Sequence, residues 1–112
     1  MKVAVAGLGG LGSMAVKFAV AMGCEVTVLS RGTAKKEEAI SRLGAHHFIN
    51  SSVKEETKEA ANRFDRIIDT IAADHDVRAL LAMVATNGSL IMVGASPVPF
   101  MVHAFDLIPK RK

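Results

Sequence analysis

The chain has 112 residues, half of them hydrophobic and only 4% aromatic, which suits one small domain with a core of Ala, Val, Ile, Leu and Met and is short for a complete nucleotide-dependent enzyme. Of its 14 basic residues three form the tail Lys110-Arg111-Lys112, leaving 11 against 11 acidic ones, so no basic stripe for nucleic acid is visible. A single cysteine, Cys24, excludes an intrachain disulfide and a cysteine-only metal knuckle, and no apolar stretch reaches the ~20 residues that span a bilayer; a soluble, reducing, cytoplasmic setting without membrane partners is expected.

Lys2 to Ala6 is apolar on both faces, as a central parallel strand is. It runs directly into Gly7-Leu8-Gly9-Gly10-Leu11-Gly12, and this order, strand then glycine-rich turn then helix, is what a pyrophosphate site needs. Gly7 allows the tight turn, Gly9 lets backbone approach the phosphates, and Gly12 lets the helix pack against the strand. The phosphates then face the free N–H groups at the positive helix end. The helix is predicted from about Leu11 to Met22 with Lys17 its only charge, hence largely covered, and Gly23 stops it.

Glu25 to Leu29 predicts a second strand, Lys35 to Leu43 a helix with Ala39, Ile40 and Leu43 on one side, and His47 to Ile49 a third strand. Ser52 and Glu55 have capping-box spacing for a polar helix running to about Ala61. Arg66 to Asp69 predicts a fourth strand, Val77 to Ala85 a helix, and Asn87-Gly88 a turn into a fifth strand, Ser89 to Val93. Strands alternating with helices imply a three-layer, doubly wound parallel α/β sheet of about five strands over residues 1–94, the Rossmann arrangement. Residues 95–112 lack a clear period and form a C-terminal extension.

In such a sheet the ligand lies beyond the carboxyl ends of the strands. There stand Gly7, Ser30, Thr70 and Gly94, small residues that leave room and offer hydroxyls. An NAD site usually carries an acid about 20 residues after the glycines, on the ribose 2′-hydroxyl. This chain has Ser30 and Arg31, with Lys35 and Lys36 beyond, a set that favours the 2′-phosphate of NADP(H). Other groups carry less chemistry. His46 and His47 point to opposite faces of a strand, Asp74-His75-Asp76 reads as a helix start, Asp65 and Asp69 as solvated strand ends, and Cys24 as a small packed residue with no base beside it.

The segments VAVAGLGGLGSMAVKFAVAMGCEVTVLSRGTAKKEEAISRLGAHHFINSS, FDRIIDT and GSLIMVGA resemble the nucleotide-binding domain of zinc-dependent medium-chain alcohol dehydrogenases, in their cinnamyl alcohol dehydrogenase branch. The resemblance implies an NADP-dependent oxidoreductase that interconverts primary alcohols and aldehydes. It places the pyrophosphate on Gly7, Leu8, Gly9, Gly10, Leu11 and Gly12, the ribose and 2′-phosphate on Ser30, Arg31 and Lys35, and the nicotinamide half along Thr70 and Gly94. The family also uses a catalytic zinc, whereas this chain has no Cys and His set with zinc-ligand spacing. The expectation is therefore a cofactor domain that binds NADP(H) without turnover, cut short of the family's sixth strand, with an exposed sheet edge that favours self-association or a mobile tail. Two alternatives stand beside it: a free-standing nucleotide-binding regulatory module, and the N-terminal domain of a β-hydroxyacid or ketopantoate-type reductase.

Overall fold

The computed structural model describes all residues, 1–112. Five strands, β1 (Lys2–Ala6), β2 (Glu25–Ser30), β3 (His47–Asn50), β4 (Phe64–Asp69) and β5 (Val84–Met92), form one sheet in the order β3-β2-β1-β4-β5. Every pairing is parallel. The order reverses between β1 and β4, and the crevice of a doubly wound sheet opens at that point.

Alternation along the central strand divides the core. Val3 and Val5 face a cluster with Val16 and Ala19 of the helix α1 (Gly10–Ala21) and with Val26 and Val28. Ala4 and Ala6 face the opposite cluster, with Phe64, Ile67 and residues of α3 (Val77–Met83), Leu80 and Met83. A strand buried on both faces is held only between two helical layers, which is why β1 reads as an unbroken apolar run. The three-layer parallel α/β reading is thus the observed fold.

Several local expectations are corrected. The predicted helix over 35–43 is present over 36–42, but its part Glu38–Arg42 is a wider turn than an α-helix: Leu43 N–H donates to the Glu38 carbonyl and Ala45 N–H to that of Ala39. The capping box at Ser52 and Glu55 does not form. Ser52 donates both its N–H and its hydroxyl to the Asn50 side chain, and α2 (Lys54–Glu59) begins after Val53 without a side-chain cap. The fourth helix stops at Met83, and β5 starts at once. Phe64 pairs with Val84 but Arg66 with Ser89, so the Asn87-Gly88 turn becomes a bulge inside the strand, with Asn87 at φ 63°.

α1 is covered on one side only. Gly12, Val16 and Ala19 meet the sheet, while Leu11, Met14, Phe18 and Met22 form an exposed apolar stripe on the outer face. The tail is docked, not free: Arg78 of α3 holds Asp106 through bonds of 2.8 and 3.2 Å, and Lys112 Nζ donates to the Leu81 carbonyl at 2.6 Å. No helix is long and apolar enough to cross a membrane.

Candidate functional site

The glycine turn is built by close backbone packing. Gly7 has φ +88°, a left-handed conformation that costs a side-chain-bearing residue energy. A Cβ at Gly12 would stand 2.2 Å from the Gly7 carbonyl oxygen, and one at Gly94 would stand 2.5 Å from the Ile71 carbonyl oxygen. Thr70 joins these segments: its hydroxyl donates to the Ala6 carbonyl at 2.8 Å and lies 3.4 Å from that of Gly7. Four of the predicted residues, Gly7, Gly12, Thr70 and Gly94, therefore meet at the point where the strand order reverses.

Beside this tight seam the turn is open. Nothing lies within 4 Å of a Cβ built at Gly9 or Gly10. α1 starts at Gly10 with no side-chain cap and no acidic residue in its first turn. The first N–H groups of a helix have no acceptor within it, and the positive end of the helix dipole adds to them. Such a surface suits an anion that approaches backbone closely.

The basic segment divides. Ser30 ends β2 half-buried, and Arg31 and Lys35 are exposed. Lys35 Nζ donates to the Leu8 carbonyl at 3.0 Å, bringing a cation to the glycine turn. Arg31 instead lines a cavity of about 360 Å³ with Ser51, Ser52, Thr57, Ile71 and His75. The loop carrying Arg31 is shaped by Asn50, whose Oδ1 accepts from Gly32 N–H at 2.8 Å. Asn50 was within reach of the strand-end reasoning, because it closes the third strand.

Asp69 is the main correction at the site. It is fully buried, not a solvated strand end. Its Oδ1 accepts from Ile71 N–H at 3.0 Å and its Oδ2 meets His75 Nε2. Asp76 does begin α3, accepting from Ala79 N–H at 3.1 Å. His46 and His47 are apart in role: His46 Nδ1 accepts from Val26 N–H at 3.0 Å, and His47 faces Glu25 at 3.5 Å. No group of three or more His, Cys, Asp or Glu side chains is placed to hold a metal ion.

Residues 10–112 match the family model described as zinc-binding dehydrogenase. The 8-hydroxygeraniol dehydrogenase of Catharanthus roseus is 48% identical over 110 residues, 98% of this chain and 31% of that protein. A cinnamyl alcohol dehydrogenase from Sorghum bicolor superposes with a TM-score of 0.95 at 44% identity, over 97% of this chain and 31% of its own. A cinnamyl alcohol dehydrogenase from Helicobacter pylori, complexed with NADP(H), gives 0.83 at 44% identity, over 96% of this chain and 30% of its own. The chain thus spans somewhat under a third of the length of these relatives.

Proposed function

The chain belongs to the zinc-binding dehydrogenase family, and from that premise we propose that it is the NADP(H)-holding part of an alcohol dehydrogenase acting between primary alcohols and aldehydes. Membership sets aside the β-hydroxyacid or ketopantoate reductase alternative. The observation that carries the reading is the juxtaposition of an uncapped, open glycine turn with the Gly7, Gly12, Thr70 and Gly94 seam. A Cβ would fill that seam, while the neighbouring Gly9 and Gly10 leave backbone donors accessible.

In this reading Gly9, Gly10, Leu11 and Gly12 present N–H groups to the pyrophosphate, and the Leu8 carbonyl keeps Lys35 close by. Ser30 and Arg31 meet the ribose and its 2′-phosphate, the guanidinium by paired charge-assisted bonds. Thr70 and Gly94 bound the nicotinamide half, where Gly94 keeps a side chain off the Thr70–Ile71 backbone. The bound dinucleotide supplies or accepts the hydride. The residues of this chain offer no ligand set for the zinc of the family, and none is given a part in metal chemistry. By itself the chain is assigned cofactor holding without turnover of alcohol.

Support for the 2′-phosphate comes from Ser30 and Arg31 at the place where an acid would select NAD, and from the NADP(H) complex of the Helicobacter pylori relative. Parallel titration with NADPH and NADH, repeated on Arg31→Ala, tests it. NADPH is expected to bind more tightly, and the variant to lose that preference. Equal affinities left unchanged by the substitution would overturn the assignment.

A further inference from the structure

The cofactor reading makes no use of Asp69 and His75, although they form the buried polar centre of the site. Asp69 ends β4 with no solvent exposure. A carboxylate so placed is tolerated only when its oxygens are bonded, and here each has a partner: Ile71 N–H for Oδ1 and His75 Nε2 for Oδ2. The second ring nitrogen, Nδ1, lies 2.7 Å from the Ala73 carbonyl oxygen. A carboxylate and a carbonyl both accept, so both ring nitrogens must donate, and this arrangement calls for the imidazolium form.

The ring is surrounded mainly by acid. Asp69 faces it from β4, while Asp74 and Asp76 lie in its own loop. Arg31 faces it across the cavity from the end of β2. α2 brings only Thr57 and α3 only Ala79, Leu80 and Met83. Burial, the largest single influence, lowers its pKa. The bonds to Ala73 and Asp69 and the charges of Asp69 and Asp74 together outweigh it, holding the ring above its ordinary 6.5.

This cation bridges the end of β4 to residue 73 and so spans the loop that begins Thr70-Ile71. Those two residues are packed against Gly7 and Gly94. Resting on the dinucleotide reading, we propose that His75 is a positioning residue: gripped by Asp69 and Ala73, the protonated ring holds Thr70 and Ile71 against the glycine turn, and dinucleotide affinity falls when the ring loses its proton. Because the clamp acts on loop backbone common to both dinucleotides, NADPH and NADH weaken together. The 2′-phosphate contact of Arg31, in contrast, concerns NADPH alone.

The test combines two measurements on the intact chain. Ring nitrogen chemical shifts of His75, read by NMR, are expected to show both nitrogens protonated at neutral pH, with Ile71 N–H protected from exchange until the ring titrates. Titrations with NADH from about pH 6 to about pH 9, and with NADPH above about pH 7 where its 2′-phosphate, with a second pKa of about 6, is already ionised, are expected to weaken by about tenfold for both, the scale of one charge-assisted bond. In His75→Gln, which keeps an amide donor but no titrating proton, both profiles should be flat over these ranges. A neutral ring below pH 7, a pH profile over these ranges that persists in His75→Gln, or a loss confined to NADPH would each overturn the proposal. If Arg31→Ala leaves NADPH binding unchanged, the 2′-phosphate assignment fails while the NADH titration still reads the clamp. If neither dinucleotide binds, the functional reading and the coupling fall together, and the ring shifts and Ile71 protection decide whether the clamp itself exists.

Discussion

Gly12 of α1 packs against the carbonyl of Gly7 so closely that a Cβ at position 12 would approach that oxygen to 2.2 Å. The helix can lie on the strand only while this position is bare. Gly12→Ala is therefore expected to destabilise the fold by about 3 kcal/mol, since the obstacle is backbone and the gain in helix propensity is smaller than the overpacking cost. Gly9→Ala is the contrast, because its Cβ meets nothing within 4 Å. It should change stability by no more than about 0.5 kcal/mol while weakening NADPH binding, as the new methyl occupies the space of the approaching phosphate. Urea unfolding and NADPH titration of the two variants separate these effects; equal stability losses would refute the assignment.

Asp69 is predicted to be the least replaceable polar residue. Asp69→Ala removes the acceptor of Ile71 N–H and leaves His75 without its counterion, a loss of about 3 kcal/mol for breaking a buried pair. The pH dependence follows from the raised pKa of His75. A proton held more tightly in the folded state contributes stability that is complete below the ordinary value of 6.5 and disappears as pH rises through the higher folded value. Relative to His75→Gln, the unfolding midpoint in urea should therefore decline with rising pH above neutrality. A difference that grows with pH would contradict the sign.

The glycine turn and the parallel, doubly wound sheet were legible because a fully apolar β1, a glycine-rich turn and a nearly uncharged α1 each state a local requirement. Gly7, Thr70 and Gly94 of the seam were legible for a related reason, since small residues at strand ends mark where backbones approach, and Gly12 was legible from its place in the glycine spacing. What escaped depended on partners distant in sequence or on competition between bonds. Ser52 had a capping option, but Asn50 took both its donors. Asn87-Gly88 looked like a turn between elements, yet the pairing of Arg66 with Ser89 made it a bulge. Asp69 at the end of an apolar strand gave no sign of burial, because its partners, Ile71 N–H and the His75 ring, are fixed by the path of a loop. The outer face of α1 was expected to be covered from its composition; within this chain nothing covers it.

Arg31 and Lys35 are expected to contribute unequally to NADPH affinity. Arg31 faces its cavity with a fork able to make two charge-assisted bonds, so Arg31→Ala should weaken NADPH by roughly tenfold to a hundredfold and leave NADH unaffected. The Lys35 amine already donates to the Leu8 carbonyl, a bond it must give up to reach a 2′-phosphate. Lys35→Ala should therefore cost NADPH less than Arg31→Ala does. Fluorescence titration of both variants checks the ranking, and a larger loss for Lys35→Ala would reverse the roles given to the two cations.

The free edge at β5 leads to the last expectation, self-association. β5 pairs only with β4 and ends the sheet, and Ile91, Met92 and Val93 at its close are exposed, as are Phe100 and Met101 beyond it. The tail covers only part of this surface: Phe100, Val102 and Leu107 line a cavity with Ser89, Leu90 and Met92, while Ile91 and Val93 stay exposed. An edge with unpaired backbone groups and apolar side chains is a template for a second strand unless charge blocks it. Sedimentation velocity should therefore show concentration-dependent association of the isolated chain. Ile91→Lys, which places a charge on the edge strand at the residue paired with Ile68, should shift the chain to monomer while NADPH binding persists, since Ile91 lies outside the glycine turn and the Arg31 cavity. A chain that stays monomeric at high concentration, or an Ile91→Lys variant that associates as before, would show that this edge is not the contact.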